Sequence, residues 1–276
     1  MILLERSKYD RVLEPLMEVT INNLFARAVV EKKVRGIVYV DKTENPGTFY
    51  IVHPYGMSLL FGKTDNDDFN SRFIDYALNA YRIRDKYEWL QAFPESWNHK
   101  ISVLFGDNLI KSKDNPGNYI RNKIEENTRV NFKFNKKKYF DFRNKTRSND
   151  FKILRTDKKM FENMEGSVIP RYFWDDAETF SSQGIGFSLI YNGKLASTAY
   201  SAFIFGNKLE LGIETDKSFR GKGFAQYTCS LLIDYCLDNN FEPIWSCRLE
   251  NTGSYKLAQK LGFESTITVP FYRLIK

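Results

Sequence analysis

The chain has 276 residues, enough for one large domain or two ordinary ones, and its 42% hydrophobic and 27% charged content is that of a globular protein. A net charge of +7 suits an acidic ligand or a nucleic acid without selecting either, and three cysteines in no CxxC spacing, with only His53 and His99 as histidines, argue against a disulfide framework and a zinc site. The start MILLERSKYD has no apolar run of a secretion signal and no 18-residue apolar stretch follows, so a cytoplasmic protein without a membrane span is expected.

In chain order, Leu13, Leu16/Met17, Leu24 and Ala28 repeat at helical spacing, which predicts one helix over 9–32. Strands follow at 34–40 and 48–52 around the turn Asn45-Pro46-Gly47. A helix from about Asp67 carries Phe69, Phe73, Tyr76 and Ala80 on one face. Residues 83–110 show no clear period, and TRVNFKFNKKKYFDF (128–142) alternates like one long strand or a hairpin. The polar run FRNKTRSND (142–150) has little to bury, so a boundary is placed there: 1–146 an accessory domain of α/β type, 147–276 a second domain.

The second domain opens with a strand at 151–157 and two short helices. Asn192-Gly193 joins strands 185–191 and 194–205, and Gly206-Asn207 leads into KLELGIET (208–215). RGKGFA (220–225) then precedes a helix with Ala225, Cys229, Leu232 and Cys236 on one stripe. A strand at 242–249, a helix at 251–262 and a terminal strand region complete the chain, and no internal repeat is visible.

RGKGFA is a bare, basic turn between strand and helix. N–H groups at a helix start are unpaired and carry partial positive charge, and small residues let an anion reach them. Arg220 and Lys222 add full charges. A tight turn that needs glycine for geometry alone is the alternative. The sequence holds neither a GxxxxGK[ST] nor a GxGxxG pattern.

The element order around this turn resembles the GNAT superfamily of N-acetyltransferases, over about 151–276. The family's turn, [Q/R]-x-x-G-x-[G/A], is matched by Arg220, Gly223 and Ala225; Asn251 and Leu261-Gly262-Phe263 match two further features. Gln183–Phe187, Glu210–Thr215 and Ser254–Gly262 are similar to the branch that includes the zwittermicin A resistance acetyltransferase. The resemblance implies an α+β fold with a mixed, mostly antiparallel sheet flanked by helices. It implies acetyl-CoA as co-substrate and a small-molecule amine acceptor that attacks the thioester directly. The turn residues Arg220, Gly221, Lys222, Gly223, Phe224 and Ala225 would hold the pyrophosphate, with Ile213, Thr215, Asn251 and Ser254 completing the cofactor site. A backbone N–H of the preceding strand would stabilise the oxyanion.

Strand alternation puts Glu210, Gly212 and Glu214 on one side, suggesting an open acidic pocket with Glu210 or Glu214 as base or amine anchor. Asp175, Asp176 and Glu178 are a second acidic group, for which a solvated helix face is the simpler reading. Many relatives place a tyrosine seven residues after the asparagine as general acid; here that position is Ala258, and Tyr255 stands one turn earlier. Without an acid, a non-catalytic acyl-CoA sensor is the alternative. Cys247 reads as a structural thiol. Lys133, Lys136–Lys138, Arg143, Lys145 and Arg147 interleave with aromatics, as in single-strand binders, but a solvated strand and linker explain them equally, and nucleic acid is not the expected partner.

Overall fold

The computed structural model describes residues 1–112, 121–143 and 151–276. These divide into two compact units: Met1–Val130 with Arg248–Glu250 and Ile267–Lys276, and Asn131–Cys247 with Asn251–Thr266. The division falls at 130/131 rather than at the expected 146/147, because it follows packing, and the polar run marks only a change of composition. Residues 144–150 of that run, with Lys145 and Arg147, lie outside the described residues.

Unit 1 begins with β1 (Ile2–Leu3), a 3-10 segment at Arg6–Val12, α1 (Leu13–Met17) and α2 (Leu24–Val30). The single helix expected over 9–32 is thus broken. Asn23 explains the break: its Nδ2 donates to the carbonyls of Leu16 and Val19, at 3.4 and 2.9 Å, and Asn22 Oδ1 accepts from Leu24 N. Next come β2 (Ile37–Val40), β3 (Thr48–Val52), β4 (Met57–Gly62), α3 (Asp67–Ala77), β5 (Glu88–Phe93), α4 (Ser96–Phe105), β6 (Leu109–Lys111) and the first part of β7 (Ile124–Phe134). β2, β3 and β4 form an antiparallel meander, and β5 returns parallel to β4 after α3. The core under this sheet gathers Tyr50, Phe73, Tyr76, Leu90 and Trp97.

In unit 2, α5 (Lys136–Arg143) stands where a strand was expected. Asn135 Oδ1 caps it by accepting from Lys138 N at 3.1 Å, which turns an apparent alternation into a helix. β8 (Lys152–Arg155), α6 (Lys158–Asn163), α7 (Ala177–Gln183), β9 (Gly186–Tyr191), β10 (Lys194–Phe205), β11 (Lys208–Thr215), α8 (Phe224–Asp238), β12 (Glu242–Ile244), β13 (Ser246–Arg248), α9 (Thr252–Lys260) and β14 (Phe263–Leu274) follow. The sheet runs β12-β11-β10-β9-β8, antiparallel except for β11 with β12. The mixed, mostly antiparallel architecture agrees with the expected fold class.

The two units repeat one topology that the sequence does not display: a three-strand meander, a helix, and a strand parallel to the meander's last. They differ at two places. β4 and β5 stay paired over Met57↔Trp89 to Phe61↔Phe93, whereas β11 and β12 pair only over Lys208↔Glu242 to Glu210↔Ile244. The turn into α3 is closed by Asn66, whose side chain accepts from Phe69 N, and Asp67 and Asp68 occupy the first helical turn. Both features make α3 hostile to an anion. The turn into α8 is bare.

No helix among the described residues is long and apolar enough to cross a membrane. Cys229, Cys236 and Cys247 are buried and form no disulfide among the described residues. Burial pushes the Cys236 thiol up to about 12 and raises that of Cys229 as well. Cys247 is buried too, which fits its structural reading.

Candidate active site

β11 organises the site. After Glu210 its β12 partner ends, and the chain breaks at Trp245 before β13, so 242–249 is not the continuous strand expected. Leu211–Thr215 therefore have no β12 partner on that edge, whose polar groups can receive an extended ligand.

Gly212 has a different task from the one expected of it. It stands opposite Tyr200 in register, and a Cβ there would lie 2.4 Å from the Tyr200 ring. The ring is fully buried against Phe173, at 5.7 Å between centroids. The space flanking Gly212 is filled by this ring, which corrects the open pocket expected between Glu210 and Glu214. Gly212→Ala is expected to lower stability by about 1–3 kcal/mol through overpacking, read as a lower urea midpoint at unchanged slope.

Past β11, Asp216 Oδ1 accepts from Ser218 N at 2.8 Å and starts a short 3-10 turn over Lys217–Phe219. Gly221 and Gly223 then take φ of +81° and +79°, left-handed values that cost most other residues about 1–2 kcal/mol. A Cβ on Gly221 would meet nothing within 4 Å, so this face of the turn is open. Among the described residues, the N–H groups of Gly221 through Ala225 have no protein acceptor; the first bond of the helix start runs from Gln226 N to Gly223 O at 3.2 Å. These donors stand at the start of the 15-residue α8, where its dipole is positive.

A cleft of about 590 Å³ lies there. Ile213, Glu214 and Thr215 of β11, the glycine turn, and Asn251 and Ser254 at the α9 start all line it. Asn251 Oδ1 caps α9 through Ser254 N at 3.2 Å, and Ser254 Oγ accepts from Trp245 Nε1 at 3.2 Å. The structure thus gathers most of the expected cofactor residues in one cleft. It adds Ser167, Val168, Phe219 and Lys260. None of these had a local signal; Ser167 and Val168 belong to a loop whose N–H groups bond to Glu214.

Three expectations change, and the acidic group of α7 lies away from the cleft, in keeping with its simpler reading. Lys222 does not line the cleft; its ammonium lies over the Tyr191 and Phe219 rings, at 5.2 and 5.6 Å. Tyr255 does not line it either and packs on Phe132 at 5.5 Å, while Ala258 is fully buried. Asp176 caps α7 through Thr179 N at 2.7 Å, which holds its carboxyl below the usual range. Glu178 pairs with Lys158, and neither these two nor Asp175 borders the cleft. Glu214 is saturated with donors: Oε2 accepts from Ser167 N (2.7 Å), Val168 N (2.8 Å) and Ser167 Oγ (3.2 Å). Its Oε1 accepts from Arg220 Nη2 (3.1 Å) and Thr215 N (3.2 Å). Such a carboxylate has no lone pair left for a substrate proton, which removes the ground for reading it as a base.

The chain matches the family model described as GNAT acetyltransferase over residues 14–272, well beyond the 151–276 in which the motifs were recognised. The N-acetyltransferase YdfB of Bacillus subtilis (strain 168), itself uncharacterised, is 23% identical over 248 residues, 90% of this chain and 89% of that protein. Among solved structures, a GCN5-related N-acetyltransferase-like protein from Streptococcus suis 89/1591 aligns at a TM-score of 0.70 and 20% identity, covering 97% of this chain and 99% of that one. A tandem GNAT protein from the clavulanic acid biosynthesis pathway aligns at 0.57 and 9%, covering 99% and 97%. At these identities the two structures bear on the fold alone.

Proposed function

Because the chain belongs to the GNAT acetyltransferase family, and is with it an N-acetyltransferase, we propose that it moves an acetyl group from acetyl-CoA to the primary amine of a small molecule, by direct attack in a ternary complex. The observation that carries this reading is the run of N–H groups from Gly221 to Ala225 without an acceptor among the described residues, of which Gly221, Gly223, Phe224 and Ala225 border a cleft beside the stretch of β11 that β12 leaves unpaired. The pyrophosphate is assigned to those donors, and the pantetheine amides to the β11 edge. Thr215 N is taken by Glu214, so the oxyanion donor is assigned to an N–H upstream of it. Glu210 is assigned as the proton acceptor. No tyrosine lines the cleft among the described residues, so protonation of the departing thiolate is assigned to water. Lys260 borders the same cleft and adds a cation for the phosphates.

Unit 1 supports this division of labour. Its β4–β5 pair does not part, and its helix start is capped and acidic, so we read it as a GNAT-like half without a cofactor groove. Gln183–Phe187, Glu210–Thr215 and Ser254–Gly262 support a place near the branch that includes the zwittermicin A resistance acetyltransferase. Three buried thiols outside any disulfide support a reducing compartment, the cytoplasm.

Calorimetric titration with acetyl-CoA tests the reading. Saturable binding, followed by amine-dependent release of thiol in a screen of small amines, is the expected result. Absence of acetyl-CoA binding by the wild-type chain would overturn it.

A further inference from the structure

Glu214 sits where three segments meet, and each sends donors to it. Gly166–Val168 lies between α6 and α7, Thr215 ends β11, and Arg220 opens the phosphate-binding turn. The carboxylate is 7% exposed and takes all the donors described above. Arg220 is held twice, since its Nε also donates to Thr215 O at 3.0 Å. The guanidinium that starts the turn is therefore aimed by β11 and Glu214.

Gly166 completes the arrangement from the other side. Its φ of +151° suits glycine, and a Cβ there would lie 2.6 Å from Glu214 Cγ and 2.7 Å from Oε2. Glycine lets the loop backbone approach closely enough for two N–H groups to reach one oxygen. Ser167 and Val168 border the cleft; Gly166 does not.

We infer that Glu214 is a positioning residue that pins the 166–168 loop and Arg220 to a single carboxylate, so that acyl-CoA affinity depends on Gly166, a residue outside the cleft. The inference rests on the acetyl-CoA reading above. A carboxylate displaced from the loop side moves away from Arg220, and the turn loses the contact that orients its first residue. Disturbing either side should therefore break the same link, and disturbing both should add little.

A double-mutant cycle with Gly166→Ala and Arg220→Ala tests this by acetyl-CoA titration. Each single variant is expected to weaken binding by about 10-fold, the effect of one charge-assisted hydrogen bond. The double variant is expected to weaken it by no more than about 20-fold, against about 100-fold for independent sites. Arg220→Gln keeps a side-chain N–H donor and should recover most of the loss seen with alanine. Should Gly166→Ala not fold, Glu214→Gln replaces it in the cycle, since its amide can no longer accept from both sides. Thermal midpoints are followed throughout: a purely structural role would lower them and leave the affinity of the folded fraction unchanged, which overturns the proposal. Additive losses, or full affinity in Gly166→Ala, overturn it too. Absence of binding by the wild type removes the acetyl-CoA reading itself, and this inference with it.

Discussion

Gly223→Asp should abolish acetyl-CoA binding and leave the fold standing. The argument begins with backbone conformation. Gly223 is the residue before α8, with φ +79° and ψ 7°, and a Cβ there would meet only the Gln226 side chain, 3.4 Å away. Aspartate is among the residues that enter the left-handed region most readily, so the substitution costs at most about 1 kcal/mol of strain. A carboxylate at a helix start is favourable to the helix, because it accepts from unpaired N–H groups and meets the positive end of the dipole. Those are the groups, Gly221 through Ala225, to which the proposed function assigns the pyrophosphate. The new side chain thus occupies the anion site with an anion of its own and repels the phosphates. A loss of at least about 100-fold in affinity follows from losing two or more charge-assisted hydrogen bonds, while the thermal midpoint moves by only a few degrees. Titration beside a thermal melt checks both. Retained affinity would mean that the turn does not hold the pyrophosphate.

The contrast between this turn and its counterpart in unit 1 explains what the sequence could and could not say. RGKGFA is legible as a bare turn between strand and helix because its signal is local: glycines at a strand–helix junction need no distant partner to set its backbone. The hairpin at Asn192-Gly193 was legible for the same reason, and Asn192 and Gly193 do take positive φ. The broken helix at 13–30 was not legible, because Asn23 bonds back to carbonyls four and seven residues earlier, and apolar spacing is blind to such competition. The repeat of topology between the units left no trace in residues, since a meander and a helix can be built from many sequences. Glu214 was misread because its role is decided by Ser167 and Val168, almost fifty positions away in the chain. Alternation placed the carboxylate on the right strand face but could not show what had already bound it.

Glu210→Gln should lower kcat by about 100-fold to 10,000-fold, the usual contribution of a positioned base, with acetyl-CoA affinity changed by less than about 2-fold. Glu210 holds the last register that β11 shares with β12, Glu210↔Ile244, so it stands where the strands part. It is buried, and its Oε1 accepts from Ser246 Oγ at 2.8 Å, across the gap to the start of β13. Under the proposed function, the amine gives its proton to this carboxylate directly or through the Ser246 hydroxyl, which already donates to it. It does not line the cofactor cleft, which separates its effect from binding. Glutamine preserves the size of the side chain and an oxygen for Ser246 but cannot take a proton, so the variant isolates the chemical step. Ser246→Ala should then divide the two routes. A fall in kcat of about 10-fold or more indicates transfer through the hydroxyl, and a wild-type kcat indicates direct transfer to Glu210. The measurement is a single-turnover rate with enzyme saturated in acetyl-CoA and an amine found in the thiol-release screen. If Glu210→Gln transfers acetyl at the wild-type rate, the proton leaves by water, and the buried carboxylate serves only to tie β11 to β13 where the sheet opens.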